Sequence, residues 1–306
     1  MSRRQFRSFV LATAIVPLIG LVVAITLAWN RIFFWSDLLV LLIMYSVCFI
    51  GVTVGFHRLL AHQSFTAVTP VRLALAVAGA MAAQGQPIVW VSHHRRHHRF
   101  ADREGDPHSP HLAGEPASSA WKGLWHAHMG WLFEDGLSSE PMRYCPDLVR
   151  DKGMRWISEH MLLVVITGIL LPGVLGLAIS DSVTGALTGM LWGGAVRILF
   201  VNQITYAVNS VGHYFGRRRF ATADQSHNVA WLAMLSFGEG WHNNHHAFPR
   251  SAILGLRWWE LDMGAWLIWA LERSKLASKV TRVTPDQLVR KDPLIILPED
   301  TGRVAR

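Results

Sequence analysis

The hydrophobic and polar residues of this chain fall into long blocks, without the short periods typical of a soluble fold. From Phe9 to Trp29 the chain is apolar and uncharged over about 20 residues, enough for a helix to cross a hydrocarbon core about 30 Å thick. A cleaved signal peptide is the alternative, but Asn30, Arg31 and bulky aromatic residues follow in place of small ones. The pattern predicts four transmembrane helices, over about 9–29, 38–55, 161–179 and 183–207.

The polar blocks between and after these spans should form one helical cap. Arg3, Arg4 and Arg7 precede the first span, which by the positive-inside rule places the N-terminus in the cytoplasm. Residues 56–160 and 214–306 then lie on that same side. We therefore expect an all-α, multi-pass integral protein of a bacterial cell membrane, a single domain over residues 1–306, with both termini cytoplasmic.

Two further stretches are moderately apolar. Val71–Val91 contains an arginine, two glutamines and Pro87, so it is interpreted as one buried or half-inserted helix. Trp258–Leu271 combines tryptophans with spaced charges, which favours a helix lying at the membrane interface.

Composition supports a membrane protein and narrows the chemistry. Hydrophobic residues make up 51% of the chain and charged residues only 16%. The net charge of +8 comes from scattered arginines, which favours a membrane surface or an anionic substrate over nucleic acid. The two cysteines, Cys48 and Cys145, can build neither a disulfide framework nor a zinc site of thiolates.

Histidine is in excess, with 16 residues, and its placement predicts metal binding. Residues i, i+3 and i+4 share a helical face, so each HxxHH motif can aim three imidazoles at one point. The pair His57 and His62 is about 140° apart on an ideal helix, so it requires a helix end or binds two different ions. Neutral imidazole suits iron, zinc, copper or nickel, and so many histidines exceed the needs of one ion. The candidates are His57, His62, His94, His97, His98, His213, His242, His245 and His246.

Other histidines are set aside. His93 is out of register with its motif and is expected to support the site or face solvent, and six more are interpreted as surface residues: His108, His111, His126, His128, His160 and His227. A carboxylate-rich di-iron site needs two Glu-x-x-His motifs, whereas this chain has one, Glu239 to His242.

The order of motifs resembles the membrane fatty-acyl desaturases of the stearoyl-CoA desaturase, delta-9 type. The motifs are HRLLAH, HHRRHHRF followed by GDPHSP, then NSVGH and GEGWHNNHHAFP, and they cover roughly residues 40 to 260. The resemblance implies four spans, two irons held by the nine histidines, and a water held by Asn209. It also implies O2-dependent formation of a cis double bond in a long-chain acyl group, by default at carbon 9.

The same resemblance suggests substrate contacts. Trp90, Thr205 and Tyr206 match residues of the family's acyl tunnel, with plain core packing as the alternative. The small residues Gly51, Thr53 and Gly55, near its closed end, are expected to leave room for a long acyl chain. Arg95 matches a coenzyme-contacting arginine.

The sequence leaves three alternatives for the carrier of the acyl group. Glu134 and Asp135 stand in the segment where the coenzyme A enzymes are basic, and these carboxylates would repel a phosphate. The handle on the acyl group is thus coenzyme A, a carrier protein or a membrane lipid.

Electrons must come from a separate ferredoxin, cytochrome b5 or flavin reductase, since no fused redox domain is recognisable. A basic face containing Arg217, Arg218, Arg219, Arg250 and Lys275 is the predicted docking surface. Two other functions remain open: a di-iron hydroxylase on the same scaffold, and a non-catalytic metal-binding or transport protein.

Overall fold

Four helices are long and apolar enough to cross a membrane. In the computed structural model, which describes residues 3–112, 119–134 and 139–292, they cover Ser8–Trp29, Trp35–Ala61, Met161–Ser180 and Val183–His213. The four predicted spans are thereby confirmed. The second and fourth spans run further along the chain than predicted, and their extra turns carry His57 and His213.

The described chain is mostly helical. Its α-helices are α1 (Arg3–Trp29), α2 (Trp35–Ile50), α3 (Thr69–Ala80), α4 (Pro87–Phe100), α5 (Ser119–His128), α6 (Pro141–Tyr144), α7 (Pro146–Arg150), α8 (Lys152–Glu159), α9 (Met161–Ser180), α10 (Val183–Gly189), α11 (Arg197–Ser210), α12 (Ala230–Leu235), α13 (His242–Ala247), α14 (Met263–Arg273) and α15 (Pro285–Lys291). Gly51–Ala61 and Met190–Val196 are π-helices, and Gly130–Phe133 and Val211–His213 are 3₁₀ turns. Strands β1 (Thr66–Ala67) and β2 (Ala277–Ser278) pair antiparallel, with Thr66 opposite Ser278.

The spans form one packed bundle. The third and fourth lie along each other, α2 packs against both, and α1 packs against the fourth. A turn after α1 leads into α2, where Asp37 accepts a hydrogen bond from Phe34 N at 2.9 Å. A carboxylate in the first helical turn satisfies a free N–H and complements the helix dipole, which fixes where the second span begins.

Small residues of the second span serve helix packing. A Cβ on Gly51 would lie 2.0 Å from Gly79 N, and one on Gly55 would lie 2.8 Å from Leu75 O. Both glycines therefore let the π-helix touch the backbone of α3, and Thr53 donates a hydrogen bond to Glu239. The expectation that Gly51, Thr53 and Gly55 leave room for an acyl chain is wrong, because backbone and side chain already fill that space.

The stretch predicted as one helix, Val71–Val91, is two helices. α3 ends at Ala80 and α4 begins at Pro87, with Gly85 in the left-handed region (φ 103°) of the turn between them. Proline lacks an N–H and disfavours helix before it, but fits the first turn of a new helix. Arg197, buried in the fourth span, donates to Met81 O at 2.6 Å and closes the end of α3.

The predicted interface helix starts later than expected. Asp262 Oδ1 accepts a hydrogen bond from Ala265 N at 2.9 Å and thereby caps α14. Trp266 and Trp269 on α14 each expose 58% of their surface. An exposed tryptophan face is typical of a helix at a membrane interface, so the prediction for this segment fits its structure.

Candidate metal centre

The nine histidines predicted as ligands lie in two adjoining groups. Within each group, one ring nitrogen of every member lies within 4.8 Å of those of all the others. The first group is His57, His62, His94, His98 and His245, and the second group is His97, His213, His242 and His246. All nine are buried or half-buried.

His57 and His62 share the first group because the second span ends as a π-helix. The N–H of His62 donates to His57 O, five residues earlier, at 3.0 Å. This wider turn stacks residues i and i+5 on one face, and the two ring centroids are 4.7 Å apart. Of the two alternatives left open by the sequence, binding to two different ions is therefore disfavoured.

Each HxxHH motif divides its histidines between the groups. On α4, His94 and His98 belong to the first group and His97 to the second, and α13 does the reverse. The expectation that each motif aims three imidazoles at one point is wrong, because adjacent helical positions diverge by about 100°. Because α4 and α13 each contribute histidines to both groups, the two groups lie side by side and form a candidate binuclear centre.

Four carboxylates hold the outer nitrogens of four histidines. The Nδ1 to oxygen distances are 2.6 Å for His57–Glu239, 2.9 Å for His97–Asp106, 2.9 Å for His213–Asp102 and 3.0 Å for His246–Asp224. A carboxylate accepts the Nδ1 proton, so the Nε2 lone pair faces the centre. Sequence reasoning missed all four roles, although two of the aspartates directly follow the second histidine motif.

Burial and crowding keep most of the ligand candidates neutral. The pKa values of His62, His94 and His98 lie well below the ordinary value, because burial and the surrounding imidazoles disfavour a charge. Burial likewise lowers the pKa of His246 to about 4, against the effect of its carboxylate partner. His97 differs: burial lowers its pKa, but Asp106 more than compensates and leaves it raised.

The inner nitrogens face one another in a way that fits bound cations. His97 Nε2 and His246 Nε2 are 3.4 Å apart, while the Nδ1 of each ring is held by a carboxylate. Held in this way, two neutral rings would turn their Nε2 lone pairs toward each other and repel, so a cation must lie between them: a proton, which the raised pKa of His97 allows, or a metal ion. The first group has equally short contacts, 2.8 Å between His62 and His94. Imidazole suits iron, zinc, copper or nickel, and nine donors are too many for one ion.

A narrow cavity of about 60 Å³ lies beside His94. Four residues predicted from the sequence line it: Trp90, Thr205, Tyr206 and Asn209. The Trp90 ring stacks on the His94 imidazole at 5.1 Å. Gln84, whose role the sequence did not indicate, accepts from Trp90 Nε1 at 3.0 Å and donates to Thr205 Oγ1 at 2.8 Å. A cavity of this size can hold a short segment of an apolar chain against the first group.

Arg95 faces the protein, away from this cavity. Its guanidinium donates to Asp147 through two nitrogens, at 2.7 and 2.9 Å, and to the carbonyls of Leu60, Ala61 and Tyr144. These five bonds engage all five of its N–H groups, so Arg95 ties α4 to its neighbours. Asp135 and the side chains of Arg3, Arg4 and Arg7 lie outside the described residues.

Three of the histidines set aside belong to the surroundings of the site. His108 is only 4% exposed and stacks on His97 at 4.4 Å, so its interpretation as a surface residue is wrong. His93 is buried against Trp131, and His128 bonds Gln203 and Ser210. A sequence pattern cannot separate a buried histidine from an exposed one when both lie in polar segments.

The chain is similar to known proteins over most of its length. A family model for fatty acid desaturases matches residues 33–279. The chain is 41% identical over 279 residues to hex-5-enoyl-[acyl-carrier protein] acetylenase of Moorena producens (strain JHB), covering 90% of this chain and 87% of that protein. It is 39% identical over 248 residues to delta-9 acyl-lipid desaturase 1 of Arabidopsis thaliana, covering 81% and 76%. It is 36% identical over 251 residues to sn-1 stearoyl-lipid 9-desaturase of Anabaena variabilis, covering 81% and 85%.

The four spans and the two histidine groups agree with the family that these matches indicate. The family model covers 247 of the 306 residues, from 33 to 279, and includes every histidine of both groups. The chain therefore belongs to the fatty acid desaturase family and is an integral membrane oxidoreductase.

Proposed function

We propose that this protein uses O2 to convert a –CH2–CH2– unit of a long-chain acyl group into a cis double bond. The reaction R–CH2–CH2–R′ + O2 + 2 e⁻ + 2 H⁺ → R–CH=CH–R′ + 2 H2O balances with two electrons from outside. The observation that supports this most strongly is that the first of two adjoining histidine groups borders the Trp90 cavity through His94. Carbon 9 is the default position, as in the names of two relatives.

The metal pair is proposed to be iron, held by the five histidines of the first group and the four of the second. When bound, the irons would supply O2 activation. The chain's own share is to present imidazoles of which most are neutral, so that few protons must leave when metal binds. The four carboxylates fix the ring orientations and offset part of the added positive charge.

The cavity is proposed to position the acyl chain. Trp90 and Tyr206 offer apolar surface, while Gln84 fixes Trp90 and Thr205 through hydrogen bonds. Held beside His94, the chain would present one methylene pair to the centre, which is how positioning contributes to rate and regiospecificity. Asn209 is proposed to hold a water at the same wall.

The acyl carrier is proposed to be a membrane lipid or an acyl carrier protein. Arg95, the match to a coenzyme-contacting residue, has its N–H groups engaged by protein, and Glu134 stands in the segment where a phosphate would need a cation. By their names, the relatives given above act on acyl lipids or on a hex-5-enoyl-[acyl-carrier protein].

For topology, we propose that the histidine cap and both termini face the cytoplasm of a bacterium. The arginines that precede the first span support this orientation. A soluble cytoplasmic ferredoxin, cytochrome b5 or flavin reductase would then reach the cap directly.

The test is a product analysis with matched variants. Membranes containing the protein receive O2 and a reduced ferredoxin, and mass spectrometry locates any new double bond. His97→Ala and His245→Ala should abolish product and lower iron content, whereas Asn209→Ala should keep most iron and lose turnover. Hydroxylated products alone would favour the hydroxylase, and an alkyne from an alkenoyl substrate would place the activity nearer the acetylenase. One zinc per chain with unchanged lipids would favour the non-catalytic alternative.

A further inference from the structure

A groove in the cap is bordered by cations, and we name it the basic groove. It has a volume of about 360 Å³ and is lined by residues 247–251 and 281–283 together with Gln287, Arg290 and Lys291. Four cations border it: Arg250, Arg282, Arg290 and Lys291. Arg282 is paired with Glu272, and the other three are exposed. No carboxylate is among the described residues that line it.

The floor of the basic groove continues directly from α13. Lys291 Nζ donates to Ala247 O at 2.6 Å and lies 5.1 Å from the centre of the Phe248 ring. These contacts fix α15 against the end of α13, whose histidines belong to both groups. Ala247 is the residue after His246, so a redox protein seated in the groove has a short covalent path to both groups.

Two other surface cavities of the described chain carry mixed charge. One is bordered by Asp147 and Asp151 as well as cations, and another by Asp106, Glu134 and Lys122. The basic groove alone among these offers one sign of charge, which selects an acidic partner and speeds its approach.

The structure also changes the docking surface predicted from the sequence. Arg218 is bound within its own loop, to Thr222 and Asp224, and Arg219 pairs with Asp292. Arg250 remains exposed at the groove and is joined by residues of α15 that the sequence did not indicate.

We infer that the basic groove docks a separate, acidic electron-carrier protein. This inference rests on the proposed function, because O2-dependent desaturation needs two external electrons per double bond. The carrier is oxidised by one electron at each encounter, and two encounters complete one turnover. A phospholipid headgroup would also accept such cations, but a site built onto the helix that bears histidines of both groups favours the electron carrier.

The test uses the full, iron-loaded chain in phosphatidylcholine nanodiscs with an acidic plant-type [2Fe–2S] ferredoxin as the probe. Arg250→Glu/Arg290→Glu reverses two groove charges, and Lys152→Glu/Arg155→Glu makes the same change at exposed positions of α8. The Kd of ferredoxin is measured in the absence of acyl substrate. The KM for ferredoxin and the kcat are measured during turnover. The groove variant should raise Kd and KM about tenfold, at the low end of electrostatic steering. The α8 variant should change them less than about twofold, since neither Lys152 nor Arg155 lines the groove.

Salt provides a second readout. Raising the salt from about 0.05 M to about 0.3 M should weaken ferredoxin binding to the wild type and much less to the groove variant. Equal losses in both variants, or an unchanged Kd in the groove variant, would overturn the inference. The inference would also be overturned if all variants bound ferredoxin equally and phosphatidylglycerol activated only the wild type. That result would assign the groove to lipid phosphate. Weakened binding with no desaturation by any variant would support the docking site while refuting the proposed function.

Discussion

Asparagine in place of Asp106 should weaken metal binding by the second group more than it weakens the fold. The Asp106 oxygens lie 2.9 and 3.0 Å from His97 Nδ1. They also accept hydrogen bonds from Asp102 N at 2.8 Å and His108 N at 3.1 Å. Asparagine preserves the shape and one acceptor oxygen, but it removes the charge and presents an amide N–H to one of these donors.

The variant acts on the metal through the tautomer of His97. The carboxylate keeps the ring proton on Nδ1, whereas an amide N–H turned toward Nδ1 favours the proton on Nε2, where it blocks a metal. Partners of metal-binding histidines typically contribute about 10- to 100-fold in affinity or activity. The expected loss of metal-binding free energy is therefore about 1.4–2.8 kcal/mol at the second group.

Chelator competition on the purified protein in nanodiscs measures this loss, together with iron per chain and the rate of product formation. Asp151→Asn is the matched control, because Asp151 caps α8 by accepting from Met154 N at 2.9 Å and asparagine caps a helix equally well. Asp106→Asn should weaken the binding of one iron while the control binds both normally, and the metal-free proteins should differ less in the free energy of unfolding than in that of iron binding. Iron affinity in Asp106→Asn within about twofold of the wild type would refute the tautomer argument.

Three further variants test the packing and the cavity. Gly51→Ala places a Cβ 2.0 Å from the backbone of α3 and should lower the free energy of unfolding in detergent by about 1–3 kcal/mol. Gly194→Ala is the control: the nearest neighbour of its Cβ is 3.4 Å away, so it should change that free energy little. Arg197→Met leaves two backbone carbonyls unpaired inside the bundle and should cost about 3 kcal/mol, seen as a lower temperature of inactivation; wild-type resistance to heat would contradict this. Thr205→Val removes the acceptor that Gln84 reaches at 2.8 Å and should broaden the distribution of double-bond positions, while Thr205→Ser should preserve it.

The spans could be predicted from the sequence because a run of apolar residues measures membrane thickness directly. Their ends could not, because the second helix continues through His57 and Arg58 into the cap, where buried partners replace lipid. The break before Pro87 left a signal in the sequence, but the apolar content around it favoured one continuous helix. Pro87 outweighs that apolar content, because proline lacks an N–H and disfavours helix in the residue before it.

Helical periodicity identified the histidines but not their grouping. It treats every helix as ideal, so it assigned three histidines to one point on α4 and left His57 and His62 in conflict. The π-helix resolves that conflict through a backbone bond from His62 N to His57 O. The carboxylates escaped notice because Asp224 and Glu239 lie far in sequence from the histidines that they orient, 22 and 182 residues respectively.

Two arginines next to ligand candidates hold the backbone that carries the inward-facing rings. Arg58, next to His57, is fully buried and binds Asp262 at 2.9 Å and Ala252 O at 3.0 Å, which ties the second span to the segment after α13. Arg95, next to His94, binds Asp147 and the end of the π-helix. Each arginine sits one residue from a ligand candidate, so the backbone that carries the imidazole is held by charge-assisted bonds independent of metal. The histidines are thus positioned before an ion binds, and little ordering entropy remains to oppose its binding.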